Sequence, residues 1–313
     1  MTSSLLQERS LAARLRRRIE IEQYYAALGR PCRRHETFGY LERYCLKPLL
    51  RLGLKASGLY PRGVANALRL TVREIRFEFS HLPPAFDGFR ILHLSDLHID
   101  GVDGLAEVMA ERIADLRPNL CVITGDFRFR NEGSCERVYP RVELILSHLL
   151  SDHGVYAILG NHDVSEITFR LEEMGVQWLV NDAIAIRKGG EAIWLAGVDD
   201  PYDFCCDDLP AALDAIPPES FKILLAHTPD LYREAAAAGI HLYLCGHTHG
   251  GQIRFPLLGA LVHHAQAPRA LIMGAWRHGP MYGYTSPGAG CSSLPVRFNC
   301  PPEITMIELG KAG

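Results

Sequence analysis

His241–Gly250, HLYLCGHTHG, runs from a short apolar segment into two histidines one residue apart, with a glycine on either side. Such a run, ending in polar side chains, reads as a buried strand whose carboxyl end carries chemistry. The same plan occurs four more times upstream, in RILHLSDLH (90–98), LCVITGD (120–126), VYAILGNHD (155–163) and FKILLAHTPD (221–230). Helical patterns such as GLAEVMAERIADL (104–116) and RVELILSHLL (141–150) separate the runs. The alternation predicts an α/β fold, in which ligand sites gather beyond the carboxyl ends of the strands.

A lone His-x-His or Asp-x-His says little, because most such pairs are solvated loop residues. Their joint occurrence says more. Asp96 and His98, Asp126, Asn161 and His162, His227, then His247 and His249 each close one of the five runs. Imidazole and carboxylate oxygen together suit divalent Mn, Fe or Zn better than Ca or Mg. Asp96, His98, Asp126, Asn161, His227, His247 and His249 are too many donors for one tetrahedral ion and enough for two ions sharing a bridge. On an extended segment His247 and His249 would project to one side with Thr248 turned away. Gly246, Gly250 and Gly251 would let the backbone come close and turn.

In residue type and order, the five blocks resemble the signature of the calcineurin-like metallophosphoesterases, over roughly residues 72 to 309. The resemblance implies a four-layer αββα sandwich with two divalent ions above the strand ends, Mn foremost and Fe or Zn as alternatives. It places one ion on Asp96, His98, Asp126 and His249, and the other on Asp126, Asn161, His227 and His247. Asp126 becomes the bridge. His162 becomes a catalytic group that stabilises charge or protonates the leaving oxygen, oriented by a carboxylate such as Asp96. Arg128, two residues past the bridge, and Arg254, after the last histidines, are candidate substrate contacts, each also readable as an ordinary surface residue. Asp199 and Asp200 read as a turn that hydrogen-bonds behind the ligands, His263 and His264 as loop residues, and His93 as a core histidine.

The formal net charge of −3 hides an asymmetry: residues 1–80 carry 16 Lys and Arg against 7 Asp and Glu, and residues 81–313 carry 17 against 29. A basic front suits an anionic surface. We therefore divide the chain into a basic amphipathic helical extension, residues 1–70, and a metallophosphoesterase domain, residues 71–313. Within the front, LAARLRRRIEIEQYYAAL (11–28) reads as a helix, followed by a break at Gly29-Arg30-Pro31 and a second basic, apolar stretch from Tyr40 to Leu70. Such a helix fits either a membrane interface or a face of its own domain. LTVREIRFEFSHLPPAFDG (70–88) reads as an edge strand stopped by Pro83-Pro84. Nine cysteines without a CxxC pair point to buried thiols in a reducing compartment. Lys47, Arg51 and Lys55 interrupt the most apolar window, and the first residues lack a secretory apolar core, so a cytoplasmic protein, peripheral on the inner membrane face, is expected.

The tail from Gly283 to Leu309 resembles a bacterial branch that includes UDP-2,3-diacylglucosamine pyrophosphatases of lipid A synthesis. Hydrolysis of a phosphodiester or pyrophosphate bond in a lipid-linked substrate is therefore the leading expectation. A soluble nucleotide or cyclic-nucleotide phosphodiesterase, or a nuclease, is the alternative, although the acidic body argues against long nucleic acid. A non-catalytic metal-bound scaffold is a third, against which the complete ligand set argues.

Overall fold

The computed structural model describes residues 10–29, 47–260 and 262–313. Two six-stranded sheets form its centre. The first runs in the order β1 (Thr71–Phe79), β14 (Glu303–Lys311), β2 (Phe89–Leu94), β3 (Leu120–Ile123), β4 (Val155–Ala157), β5 (Val176–Trp178). The second runs β12 (Gly274–His278), β13 (Met281–Thr285), β9 (Leu242–Cys245), β8 (Lys222–Leu225), β7 (Glu191–Gly197), β6 (Asp182–Lys188). A short ribbon, β10 (Arg254–Phe255) with β11 (Gly259–Ala260), follows the last histidines.

Alternation along the strands decides the layers, because successive side chains leave opposite faces of a sheet. Ile91 of β2, Leu120 and Val122 of β3, Ile223 and Leu225 of β8, and Leu242 and Leu244 of β9 meet in one core between the sheets. Leu92, Leu94, Cys121 and Ile123 face the opposite way, onto the helices Leu105–Ala114, Tyr139–His148 and Glu166–Glu173. Leu224, Tyr243 and Cys245 face the helices Leu209–Leu213 and Tyr232–Ala237. Helix, sheet, sheet, helix is the expected αββα sandwich. Strands buried on both faces explain why these runs are almost continuously apolar.

All five motif-bearing runs become parallel strands, with β2, β3 and β4 neighbours in the first sheet and β8 and β9 neighbours in the second. Their carboxyl ends therefore converge from two sheets. β1 is an edge strand as expected, and its partner is β14, from the far end of the chain.

The helices Leu11–Arg14 and Arg16–Ala27 pack on the sandwich through Leu11, Leu15 and Ile19. Leu15, fully buried, joins the core beneath the first sheet together with Ala67 and Leu70. Burial of a leucine side chain of this kind contributes about 2 kcal/mol. Of the clustered arginines, Arg16 and Arg17 are exposed, whereas Arg14 pairs with Asp182 and Arg18 is fully buried. The helix Lys47–Ala56 buries none of its residues and exposes Leu49, Leu50 and Leu52. Arg30 and Pro31 of the expected break, and the start of the second basic stretch, lie outside the described residues. Among the described residues no helix is long and apolar enough to cross a membrane.

Candidate metal centre

Beyond each strand end the chain turns sharply. Asp96, His98, Asp126, His247 and His249 have φ of 50°, 36°, 59°, 67° and 50°. Left-handed backbone at non-glycine residues costs on the order of 1 kcal/mol each and persists where its surroundings over-determine it. Here those surroundings are main-chain bonds between loops: Asp96 N to Gly125 O at 3.0 Å, His98 N to Asp126 O at 2.9 Å and Gly246 N to His227 O at 2.9 Å. Two glycines are dictated by close approach. A Cβ on Gly246 would collide with the Ser95 and Asp96 side chains, and one on Gly160 with the Asp126 carboxylate. The HTH segment differs from the extended geometry expected of it. His247 and His249 flank Thr248 in a tight turn that continues into a 3₁₀ turn at His249–Gly251, and Thr248 Oγ1 donates to Ile272 O at 2.6 Å.

The turn sends the two histidines into different clusters. In one, His98 Nε2 lies 3.1 Å from His249 Nε2 and 3.4 Å from Asp126 Oδ2, and His249 Nε2 lies 3.4 Å from Asp96 Oδ1. In the other, Asn161 Oδ1 lies 2.9 Å from His247 Nδ1 and 3.1 Å from His227 Nε2, which is 3.4 Å from the same Asp126 Oδ2. All seven donors expected from the sequence are thus within reach of one another.

The donor chemistry fits cations. His98 Nδ1 donates to Arg128 O and His227 Nδ1 to Thr124 O, each at 2.7 Å, which turns the lone pair of each Nε2 inward. The Asn161 amide donates its Nδ2–H to Asp203 Oδ2 at 3.0 Å, so its oxygen also points inward. Lone pairs facing lone pairs at about 3 Å call for positive charge between them.

Electrostatics agrees. Burial alone would raise the Asp126 carboxyl, but the His227 and His162 imidazoles hold it well below the usual carboxylate range. Burial alone would lower His227, yet Asp126, Asp96 and Asp200 carry it up to about 10, so in the bare protein a proton stands where a cation would. His247 and His249 are pushed well down, by burial first and then by His227 and His98 respectively, and stay neutral.

Several groups that hold the ligands escaped the sequence reading. Asp163 accepts the main-chain amides of Asp126, Phe127 and Gly160 at 2.8, 2.9 and 2.9 Å. Ser95 Oγ and the amide of His247 fix the Asp96 carboxylate. Arg297, fully buried, donates to Pro287 O and Gly288 O, and its Nη2 lies 3.3 Å from His249 Nδ1. Arg18 donates to Gly160 O and Asp163 O and pairs with Asp199. Helical spacing is the signal that could have found Arg18: it follows Leu11 by seven residues and Leu15 by three, on the apolar face that Arg16 and Arg17 leave. Asp199 and Asp200 do sit behind the ligands, Asp200 accepting amides of Tyr202, Asp203 and Phe204.

His162 lies beside the first cluster, its ring centroid 4.7 Å from that of His98. Its Nδ1 is 2.8 Å from Phe129 O, so a main-chain carbonyl does the orienting work expected of a carboxylate. Arg128 is no surface residue: it is buried, its guanidinium contacts Arg130 O and Cys135 Sγ, and its Nη2 has no partner among the described residues. Arg254 donates to Gly250 O at 2.8 Å and lines a cavity of about 500 Å³ with Arg73 and Arg269. The His264 ring stands 6.5 Å from His247. His93 is a core residue, bonded to Thr124 Oγ1 at 2.9 Å and pushed down to about 3 by burial.

Known proteins are similar to this chain. A model of the calcineurin-like phosphoesterases matches residues 89–251. The chain is 32% identical over 231 residues to Phosphodiesterase YaeI of Escherichia coli (strain K12), a match that spans 71% of this chain and 82% of that protein. It is 30% identical over 273 residues to the uncharacterized metallophosphoesterase YkuE of Bacillus subtilis (strain 168), spanning 82% and 91%. Over 318 residues it is 31% identical to the Bos taurus transmembrane protein with metallophosphoesterase domain, spanning 93% of this chain and 69% of that one. On the fold, the site and these relatives together, the chain belongs to the calcineurin-like metallophosphoesterases and is a hydrolase.

Proposed function

We propose that the centre holds two divalent ions and hydrolyses a phosphodiester or pyrophosphate bond. The observation that carries this reading is Asp126 Oδ2, 3.4 Å from Nε2 of both His98 and His227. Asp96, His98, Asp126 and His249 would hold one ion, and Asp126, Asn161, His227 and His247 the other, with Mn the first choice and Fe or Zn compatible with the same donors. Such a pair, when bound, supplies an activated water and charge to polarise the phosphoryl oxygens.

The chain's own residues supply the rest. Asp126 sets the spacing of the two halves, its second oxygen tied down by the amide of His162 at 2.8 Å. With Nδ1 of His162 bonded to Phe129 O, Nε2 is the nitrogen that can exchange a proton with the leaving oxygen. The guanidinium of Arg254 is the candidate contact for substrate phosphate oxygens, whereas Arg128, whose Nη2 is buried, would meet a phosphate only if the turn around it opened.

For the substrate, we favour a lipid-linked phosphodiester or pyrophosphate, with UDP-2,3-diacylglucosamine as the specific case, met at a membrane surface through the extension. The support is the basic front and the helix Lys47–Ala56, where Leu49, Leu50 and Leu52 are exposed among Lys47, Arg51 and Lys55. Deleting residues 1–70 would remove Leu15 and Arg18 as well, so the test uses Leu49→Asp with Leu52→Asp. Purified protein loaded with Mn is compared on bis-p-nitrophenyl phosphate and on UDP-2,3-diacylglucosamine in anionic vesicles. The reading expects the lipid rate to fall at least tenfold and the small diester rate to hold. Equal rates on both substrates before and after substitution would favour the soluble nucleotide diesterase, and no Mn-dependent turnover at all would sink the two-ion reading.

A further inference from the structure

Arg18, in the second of the N-terminal helices, reaches the floor of the centre, and it does so fully buried. Its Nη2 donates to Gly160 O at 2.7 Å and to Asp163 O at 2.8 Å, the carbonyls on either side of Asn161 and His162. Its Nη1 pairs with Asp199, and the guanidinium plane lies 3.8 Å from the centre of the Phe204 ring. Asp199 accepts the amide of Asp200 at 2.7 Å, Asp200 accepts the amide of Asp203 at 2.8 Å, and Asp203 accepts the side-chain amide of Asn161 at 3.0 Å. Arg18 thereby grips Asn161 twice, through its main chain on both flanks and through the acidic loop that aims its carbonyl oxygen. Glu22, one turn along the helix and 3.3 Å from Arg18 Nε, adds a bond to the amide of Ser165 at 2.7 Å.

The other half of the centre is held differently. Asp96 rests on Ser95, His98 on Arg128 O, and His249 lies against Arg297, with none of these contacts passing through Arg18.

We propose that Arg18 is a positioning residue for the Asn161, His227 and His247 half of the centre, so that the N-terminal helix is part of the machinery that loads the second ion. The inference rests on the two-ion reading above. A planar fork of five donors can serve two carbonyls and a carboxylate at once, whereas an ammonium offers a point charge and cannot span them. Loss of a group behind a metal ligand typically weakens affinity 10- to 100-fold. That loss should fall chiefly on the ion held by Asn161, His227 and His247, and less on the other, which feels Arg18 only through Asp163 and the shared Asp126.

The test titrates Mn into the metal-free full-length protein by calorimetry and counts bound Mn after gel filtration. Arg18→Gln and Arg18→Lys are set beside Leu15→Ala, which loosens the same helix through its apolar contact. The wild type should bind two ions. Both Arg18 variants should weaken one ion at least tenfold more than the other, Arg18→Gln more severely than Arg18→Lys, while Leu15→Ala melts lower yet keeps two. Two ions of wild-type affinity in a folded Arg18→Lys, or equal weakening of both ions, would overturn the inference and leave Arg18 a packing residue. If Arg18→Gln does not fold, Arg18→Lys alone decides. A wild type that binds fewer than two ions would instead overturn the two-ion reading.

Discussion

Asp163 receives the main-chain amide of Asp126 at 2.8 Å, so the proposed bridging residue is set by a carboxylate lying two residues past Asn161. The same carboxylate takes the amides of Phe127 and Gly160 and is almost completely buried. Asp163→Asn puts an NH₂ group against one of these donors. We expect a stability loss of about 3 kcal/mol by urea denaturation, together with a fall in kcat. A loss below about 1 kcal/mol would contradict the structural weight given to Asp163.

The main-chain amide of His162 donates to Asp126 Oδ1 at 2.8 Å, while Nδ1 of its side chain lies 2.8 Å from Phe129 O. His162→Ala should therefore lower kcat by about 10² to 10⁴ with two Mn still bound. Loss of an ion in this variant would make His162 a ligand, which His98, Asp126 and His162 are close enough together to allow.

Gly246 faces Ser95 and Asp96 with no room for a methyl group. Gly246→Ala must push the Asp96 carboxylate off its ligand position. Mn affinity should drop at least tenfold, with a smaller change in melting temperature. Unchanged affinity would show that the loop yields cheaply.

Uptake of Mn must expel the proton from His227, which the surrounding carboxylates carry up to about 10 in the bare protein. Apparent affinity should rise with pH toward that value, and calorimetry in buffers of different ionisation enthalpy should count protons released. For the chelator-stripped protein the raised pKa contributes stability that is full below the ordinary value of 6.5 and is lost as the pH rises through about 10. Its melting temperature should fall across that window and the Mn-loaded protein's should not. Binding without proton release would refute the assignment.

His93 works in the opposite direction. Burial depresses it from 6.5 to about 3, so the unfolded chain binds the extra proton between those values and stability falls as the pH drops through them. The slope from this group is at most about 1.4 kcal/mol per pH unit. His93→Gln, which can still meet Thr124, should flatten the acid limb of the stability curve. An unaltered limb would place the acid sensitivity elsewhere.

The five strand ends were legible because a doubly buried parallel strand is a short apolar run, and a polar residue at its end stands out. That signal picked out Asp96, His98, Asp126, Asn161, His227, His247 and His249, which the fold brings into one cluster. It could not assign β2, β3 and β4 to one sheet and β8 and β9 to the other, since that choice depends on packing between distant segments. It also missed contacts made by main-chain atoms: Phe129 O and Arg128 O carry no residue signature, and the turn at His247–His249 departs from extended geometry through backbone angles that most residue types avoid. Arg18 was missed for another reason. Its spacing from Leu11 and Leu15 puts it on the apolar face, but a charge there has no evident partner until the helix docks and it meets Asp199, which lies 181 residues later.

The donors come from both sheets, Asp96, His98, Asp126 and Asn161 from the first and His227, His247 and His249 from the second. An ion seated across that seam is bound only by the closed sandwich, and at a hundred times its Kd each adds about 2.7 kcal/mol to the cost of opening it. Metal starvation would then shorten the protein's lifetime as well as idle its chemistry, because a loosened sandwich is what a protease cuts. Abundance in the cell would track metal supply with no change in synthesis.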